Sequence, residues 1–139
     1  AGAAYPLFKA KVLREGADAT LFCYGPMVKT CLQAAEAALE DGRNLEVVDL
    51  RSIAPLDLAT IFESVKKTRR AVVVHEAPLS LGPGSELAAR VTEECFYHLE
   101  APVLRVAGFD TPYPPSRMEE EYLPDLDRVL EGVDRVMEY

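Results

Sequence analysis

The chain has 139 residues, enough for one domain with a real core. Hydrophobic residues make up 49% of it, the net charge is −8 and the pI is about 4.8. Such an acidic balance argues against nucleic acid or an anionic membrane surface as a partner. No apolar run approaches a transmembrane length, and no basic start followed by an apolar stretch marks a signal peptide.

Residues 1–8 (AGAAYPLF) lack periodicity and read as a linker or chain end, with the domain expected over 9–139. The abrupt start points to a chain that continues upstream. Lys9 to Arg14 reads as a short strand and Thr20 to Tyr24 as the first strong one. Gly25-Pro26 ends that strand and opens a helix to about Leu39, with Val28, Cys31, Leu32, Ala35, Ala38 and Leu39 on its apolar stripe. Asp41-Gly42 stops it. Leu45 to Leu50 is the next strand. Asp57 caps a helix to about Lys67, where Lys66, Lys67, Arg69 and Arg70 suit the negative end of the dipole.

The centre of the chain is Ala71 to Phe96. Ala71 to Val74 is an apolar, β-branched run of the kind found in a strand covered on both faces. His75 and Glu76 are expected just past its end, followed by a loop with Pro78, Gly82, Pro83 and Gly84. Ser85 is the expected N-cap of a helix to about Leu99, with Leu87, Ala88, Val91 and Cys95 inward. Val103 to Val106 is a further strand, and Gly108 to Pro115 a proline-rich loop. Pro124 fits the first turn of a last helix, which buries Leu126, Val129, Leu130, Val133 and Val136/Met137. Alternation of strands and helices predicts a three-layer α/β fold with a mostly parallel sheet.

Chemistry-bearing residues are sparse. His75 beside Glu76 is the candidate acid or base; the plainer reading is a structural, hydrogen-bonded histidine at an interface. The helix start at Gly82–Ser85 could offer N–H groups to an anion, although it is neither a Walker loop nor a dinucleotide fingerprint. His98 suits a helix C-terminus. Cys23, Cys31 and Cys95 read as buried small hydrophobes in a reducing compartment, and no metal-ligand spacing is present. No catalytic, cofactor-binding or metal-binding residue is assigned. Eight acids and three bases fall between Arg117 and Tyr139. This is a solvated helix face or, more sharply, a docking face for a basic partner.

Five segments carry a resemblance: EVVDLRSIAPLD (46–57), VVVHEAP (72–78), EECFYHLEAPVLRV (93–106), GFDTPYP (108–114) and EEEYLPD (119–125). In this order, from about Phe8 to Tyr139, the chain resembles the C-terminal domain of the β subunit of thiamine-diphosphate-dependent 2-oxoacid dehydrogenases, the transketolase C-terminal fold. HEAP, EECF followed by LEAP, and GFDTPYP look most like the branched-chain (2-oxoisovalerate) type.

The resemblance implies a three-layer domain on a five-stranded mixed sheet with one antiparallel strand. It implies an α2β2 enzyme that decarboxylates a branched-chain 2-oxoacid on thiamine diphosphate with magnesium and acylates a lipoyl group. The β subunit's N-terminal domain and the α subunit hold the cofactor there, so this chain alone is expected neither to bind it nor to turn over. Expected partners are a second β subunit, the α subunit and the basic peripheral subunit-binding domain of the acyltransferase core. Glu100 and the terminal carboxylate of Tyr139 would meet that basic domain. His75, Glu76, Phe109, Asp110 and Tyr113 would be subunit-interface residues, oddly exposed in an isolated domain. The compartment would be the bacterial cytoplasm or the mitochondrial matrix. Alternatives are a pyruvate-type β subunit or a transketolase-type enzyme, a free-standing small-ligand module using Gly82–Ser85, and a scaffold without ligand.

Overall fold

The structure is a computed structural model that describes residues 4–139. Five strands form one sheet: β1 (Lys11–Arg14), β2 (Ala19–Cys23), β3 (Leu45–Asp49), β4 (Ala71–Pro78) and β5 (Leu104–Gly108). Their order is β1-β3-β2-β4-β5, and β1 alone runs antiparallel to its neighbour. The helices are α1 (Met27–Glu40), α2 (Leu58–Thr68), α3 (Pro83–Cys95), the short α4 (Glu119–Tyr122) and α5 (Leu126–Met137). The expected three-layer architecture with one antiparallel strand is therefore present.

Strand alternation builds two cores. Leu21, Val47, Val72 and Val74 face α1 and α5, meeting Cys31, Ala34, Ala35, Val129 and Val133. Phe22, Val48 and Val73 face α2 and α3, meeting Ile61, Val65, Leu87 and Val91. Both faces of β2 and β4 are covered, which is why their sequences are apolar runs rather than alternations. All three cysteines are free and buried in these cores.

Four local expectations are corrected. His75 to Pro78 belong to β4 itself, which runs on past a register irregularity between Val74 and Pro78. Gly82, in an extended conformation, is the N-cap of α3, and Pro83 starts the helix with its missing N–H at no loss. Ser85 lies inside the first turn, where its hydroxyl serves Arg105 and the Leu79 carbonyl. Pro124 precedes the N-cap of α5, which is Asp125: its carboxylate accepts from the Arg128 N–H at 2.9 Å. The Asp57 cap of α2 is as expected and also accepts from the Ala10 N–H at 3.0 Å, tying in the approach to β1. Of the end assigned to residues 1–8, residues 1–3 lie outside the described residues. The Tyr5 hydroxyl donates to the Ala10 carbonyl at 2.7 Å.

A buried polar chain crosses the α2 side. Glu46 on β3 is only 1% exposed. It accepts from the Gly16 N–H at 3.2 Å and from the Ser64 hydroxyl, and pairs with Lys67. Thr20 lies 2.8 Å from Ser64 and 2.7 Å from Thr68. An ionised carboxylate only accepts, so Ser64 donates to Glu46, Thr20 donates to Ser64 and Thr68 donates to Thr20. The Glu15 and Glu46 carboxylates hold the Lys67 ammonium above its ordinary pKa. Gly16 has to be glycine: a Cβ there would lie 2.2 Å from the Leu45–Glu46 backbone.

Ser64→Ala strands one Glu46 oxygen inside the fold and leaves Thr20 with Thr68 as its hydroxyl partner. It is expected to lower unfolding free energy by about 1–3 kcal/mol in urea at neutral pH, with an unchanged m-value.

Candidate functional site

The sheet order places a topological switch between β2 and β4, since α1 returns the chain from β2 to β3 on one side and α3 carries it from β4 to β5 on the other. Ligands and partners of open α/β sheets gather at the carboxyl ends of the strands flanking such a point. There Tyr24 and His75 meet, ring centroids 6.2 Å apart. Burial and the nearby Glu76 carboxylate push the Tyr24 phenol up from its ordinary pKa.

His75 fills this crevice and is 1% exposed. Its Nδ1 lies 3.0 Å from the Ala77 carbonyl, and its Nε2 lies 3.0 Å from the Gly84 N–H. One contact requires a donor and the other an acceptor, so the ring is the neutral Nδ1–H tautomer. Burial holds its pKa below the ordinary 6.5. With both nitrogens committed to backbone, the ring has no free position for proton transfer. The plainer structural reading is the one the geometry supports. Gly84 must be glycine for the same reason, because a Cβ would stand 2.6 Å from His75 Nε2.

The other assigned residues ring the same edge. Asp110 clasps Ser80: it accepts from the Ser80 N–H at 2.8 Å and the Ser80 hydroxyl at 2.6 Å, which lowers its carboxyl pKa. The clasp joins the loop after β4 to the loop after β5. Phe109 and Tyr113 stack edge-on against buried Tyr122, with centroids 6.3 and 5.2 Å away. The Tyr113 hydroxyl donates to Glu119 at 2.6 Å, and that carboxylate pushes the phenol pKa up to about 12. The expected exposure holds for Phe109, Asp110 and Tyr113, but not for His75; Glu76 is half-buried. Leu79 and the fully exposed Leu81 extend the apolar surface.

Glu100 and Tyr139 lie at the opposite, amino edge. Glu100 accepts from Arg69 at 2.9 Å and from Arg70 at 2.6 Å, and Arg70 Nε also donates to the Val136 carbonyl at 3.2 Å. Arg70 thus brings Glu100 to the end of α5 that carries Tyr139. The carboxylate is already shared by two arginines, a pairing the sequence does not disclose.

At the start of α3, the Gly84 N–H is taken by His75 and the Ser85 N–H by the Gly82 carbonyl. The Gly82–Ser85 turn therefore does not present these donors to an anion. Among the described residues no group of three or more His, Cys, Asp or Glu is placed to hold a metal ion. The features that sequence reasoning passed over are Glu46 and Arg105, each a charged residue inside an apolar strand.

The family model described as Transketolase, C-terminal domain, matches residues 8–129. The chain belongs to the transketolase C-terminal domain family. This transketolase C-terminal domain is 58% identical over 134 residues to a pyruvate dehydrogenase E1 component subunit beta of Leifsonia xyli subsp. xyli, covering 96% of this chain and 40% of that protein. It is 54% identical over 133 residues to a 3-methyl-2-oxobutanoate dehydrogenase subunit beta of Mycobacterium tuberculosis, covering 95% of this chain and 38% of that protein. Among solved structures, a split gene transketolase described as an inactive beta4 tetramer superimposes with a TM-score of 0.85 at 28% identity, covering 98% of this chain and 43% of that one. The chain thus spans about two fifths of the curated relatives it matches. Their names divide between pyruvate dehydrogenase and 3-methyl-2-oxobutanoate dehydrogenase subunits beta, so the likeness does not fix a substrate.

His75→Gln cannot present a donor and an acceptor at the two ring-nitrogen positions, and is expected to cost about 1–3 kcal/mol at pH 7.5. A depressed folded-state pKa means that the unfolded chain binds the proton first. The wild type should therefore be most stable above about pH 6.5 and lose stability below it, by up to about 1.4 kcal/mol per pH unit. Denaturation curves between pH 7.5 and 5 should show this slope in wild type and lack it in His75→Gln.

Proposed function

We propose that residues 9–139 form the assembly and docking domain of the β subunit of a 2-oxoacid dehydrogenase, of the branched-chain type. The observation that carries this reading is the apolar carboxyl edge, where Leu79, Leu81, Phe109 and Tyr113 are exposed together around the Ser80–Asp110 clasp. Apolar surface of this kind marks an interface. The β-subunit names of the similar proteins, and their greater length, supply what would cover it.

In this reading the edge, with His75, Glu76, Phe109, Asp110 and Tyr113, packs on other parts of an α2β2 assembly, including the second β subunit. Thiamine diphosphate and magnesium sit in those other parts. The assembled enzyme decarboxylates the 2-oxoacid and passes the acyl group to a lipoyl carrier, in the bacterial cytoplasm or mitochondrial matrix. The branched-chain assignment is supported by the HEAP, LEAP and GFDTPYP segments.

At the amino edge, Glu100 and Tyr139 are assigned to the basic domain of the acyltransferase core. Glu100 enters that contact from between Arg69 and Arg70, so an incoming lysine or arginine has to share its carboxylate. Removing the carboxylate leaves two guanidiniums facing a basic partner, turning attraction into repulsion.

Three measurements test the reading in the full-length protein with its α subunit. Leu81→Asp should dissociate the tetramer in sedimentation while leaving the domain folded by circular dichroism; an intact, fully active tetramer would overturn the interface assignment. The assembled enzyme should prefer 3-methyl-2-oxobutanoate over pyruvate by at least about tenfold in kcat/KM, a gap of roughly 1.4 kcal/mol in transition-state binding; the reverse preference overturns the branched-chain assignment. Glu100→Ala should weaken acyltransferase capture at low salt, and an unchanged affinity would remove Glu100 from that contact.

A further inference from the structure

A pocket of about 290 Å³ lies at the carboxyl end of β5, lined by Leu79, Arg105, Ala107, Gly108, Phe109, Asp110 and Arg128. Two guanidiniums reach it from different elements, Arg105 from β5 and Arg128 from the first turn of α5. Each is anchored to neutral oxygens. Arg105 Nη1 donates to the Leu79 carbonyl at 2.8 Å and to the Ser85 hydroxyl at 2.7 Å. Arg128 Nη2 donates to the Ala107 carbonyl, and its guanidinium stacks over Phe109, 4.9 Å from the ring centroid.

Neither arginine is in an ion pair among the described residues, in a chain with 23 acids and 15 Lys or Arg. Asp110 is the carboxylate in the pocket wall, and both of its oxygens are held by Ser80. Arg128 Nη1 is buried and has no hydrogen-bond partner. A desolvated, partnerless charged donor is costly, and an acceptor brought to it recovers the loss.

We propose that this pocket is a receptor for a small carboxylate, gripped between Arg105 and Arg128 with its apolar part against Phe109 and Leu79. Guanidinium forks match a carboxylate in geometry as well as charge. Two cations and one anion in the walls favour a monoanion over a phosphate dianion, which would face Asp110. The volume is at the small end for ligand sites and suits an acid of a few carbons. The Arg128 guanidinium lies over Phe109, so the apolar part of the ligand would meet that ring beside the charge. The pocket shares Leu79, Phe109 and Asp110 with the edge assigned to subunit contacts, so the inference requires that the assembled protein leave its mouth open, and the binding readout tests that separately from assembly.

The test uses the full-length protein and three probes: isobutyrate, its neutral amide, and inorganic phosphate, each followed by calorimetric titration and by melting temperature. Isobutyrate should bind saturably and raise the melting temperature, while the amide should not. Arg105→Gln and Arg128→Gln should each weaken isobutyrate at least about tenfold, the loss of one charge-assisted contact. Phe109→Ala should weaken isobutyrate more than formate, which has no apolar part. Absence of saturable isobutyrate binding up to about ten millimolar, equal binding of the amide, tighter binding of phosphate, or unaltered binding in both arginine variants would each overturn the proposal. Loss of subunit assembly in those variants without any binding of free isobutyrate would assign the carboxylate to a neighbouring polypeptide and overturn the free-ligand form.

Discussion

The middle of this sheet is sealed. β2 and β4 carry helices on both faces, so every side chain from Leu21 to Cys23 and from Val72 to His75 is packed against protein. A parallel sheet of this kind leaves no face for recognition, and chemistry or contact can occur only where the strands end. The sheet accordingly ends in two edges of different character. The carboxyl edge is apolar and aromatic, braced by the Ser80–Asp110 clasp. The amino edge is charged and organised by Arg70. Each follows from the same constraint: polar groups have somewhere to go only beyond the last ladder hydrogen bond.

The buried Glu46 chain is the exception inside the fold, and its geometry explains why it is tolerated. Every donor and acceptor along Thr68, Thr20, Ser64 and Glu46 has an ordered direction, and Lys67 balances the charge. A carboxylate with this many partners keeps its desolvation offset, whereas loss of any one member leaves a polar atom in an apolar wall. The chain also joins the β1–β2 turn, β3 and α2.

The strands and helices were legible in the sequence because each carries an undisturbed period: Ala71 to Val74 as a doubly covered run, Ile61 to Val65 and Val129 to Val136 as helical stripes. The four-residue helix at Glu119 was not legible, since three successive glutamates carry no hydrophobic period and Tyr122 alone anchors it. The end of β4 is not legible in the sequence, because His75 and Glu76 look like the polar start of a loop. In the fold His75 is buried by hydrogen bonding to the backbone of a turn nine residues on, a pairing that periodicity does not encode. The interface role of the GFDTPYP loop follows from the resemblance and not from its composition, which reads only as a proline-rich loop. The clasp, the double pairing of Glu100 and the convergence of Arg105 with Arg128 depend on contacts between distant segments, which only the folded chain brings together.

Helix α5 is pinned by an arginine near each end. Arg128 near its start donates to the Ala107 carbonyl of β5, and Arg70, from the approach to β4, donates to the Val136 carbonyl in its last turn. Apolar stripes of Val and Leu resist lateral separation but tolerate sliding, because one methyl group substitutes for another along a smooth face. A backbone carbonyl offers no such substitute. A slip of one residue moves the helix about 1.5 Å along its axis and would break both contacts at once. The two arginines therefore act as a vernier that fixes the axial position of the last helix against the sheet, and with it the spacing between the molecule's two edges.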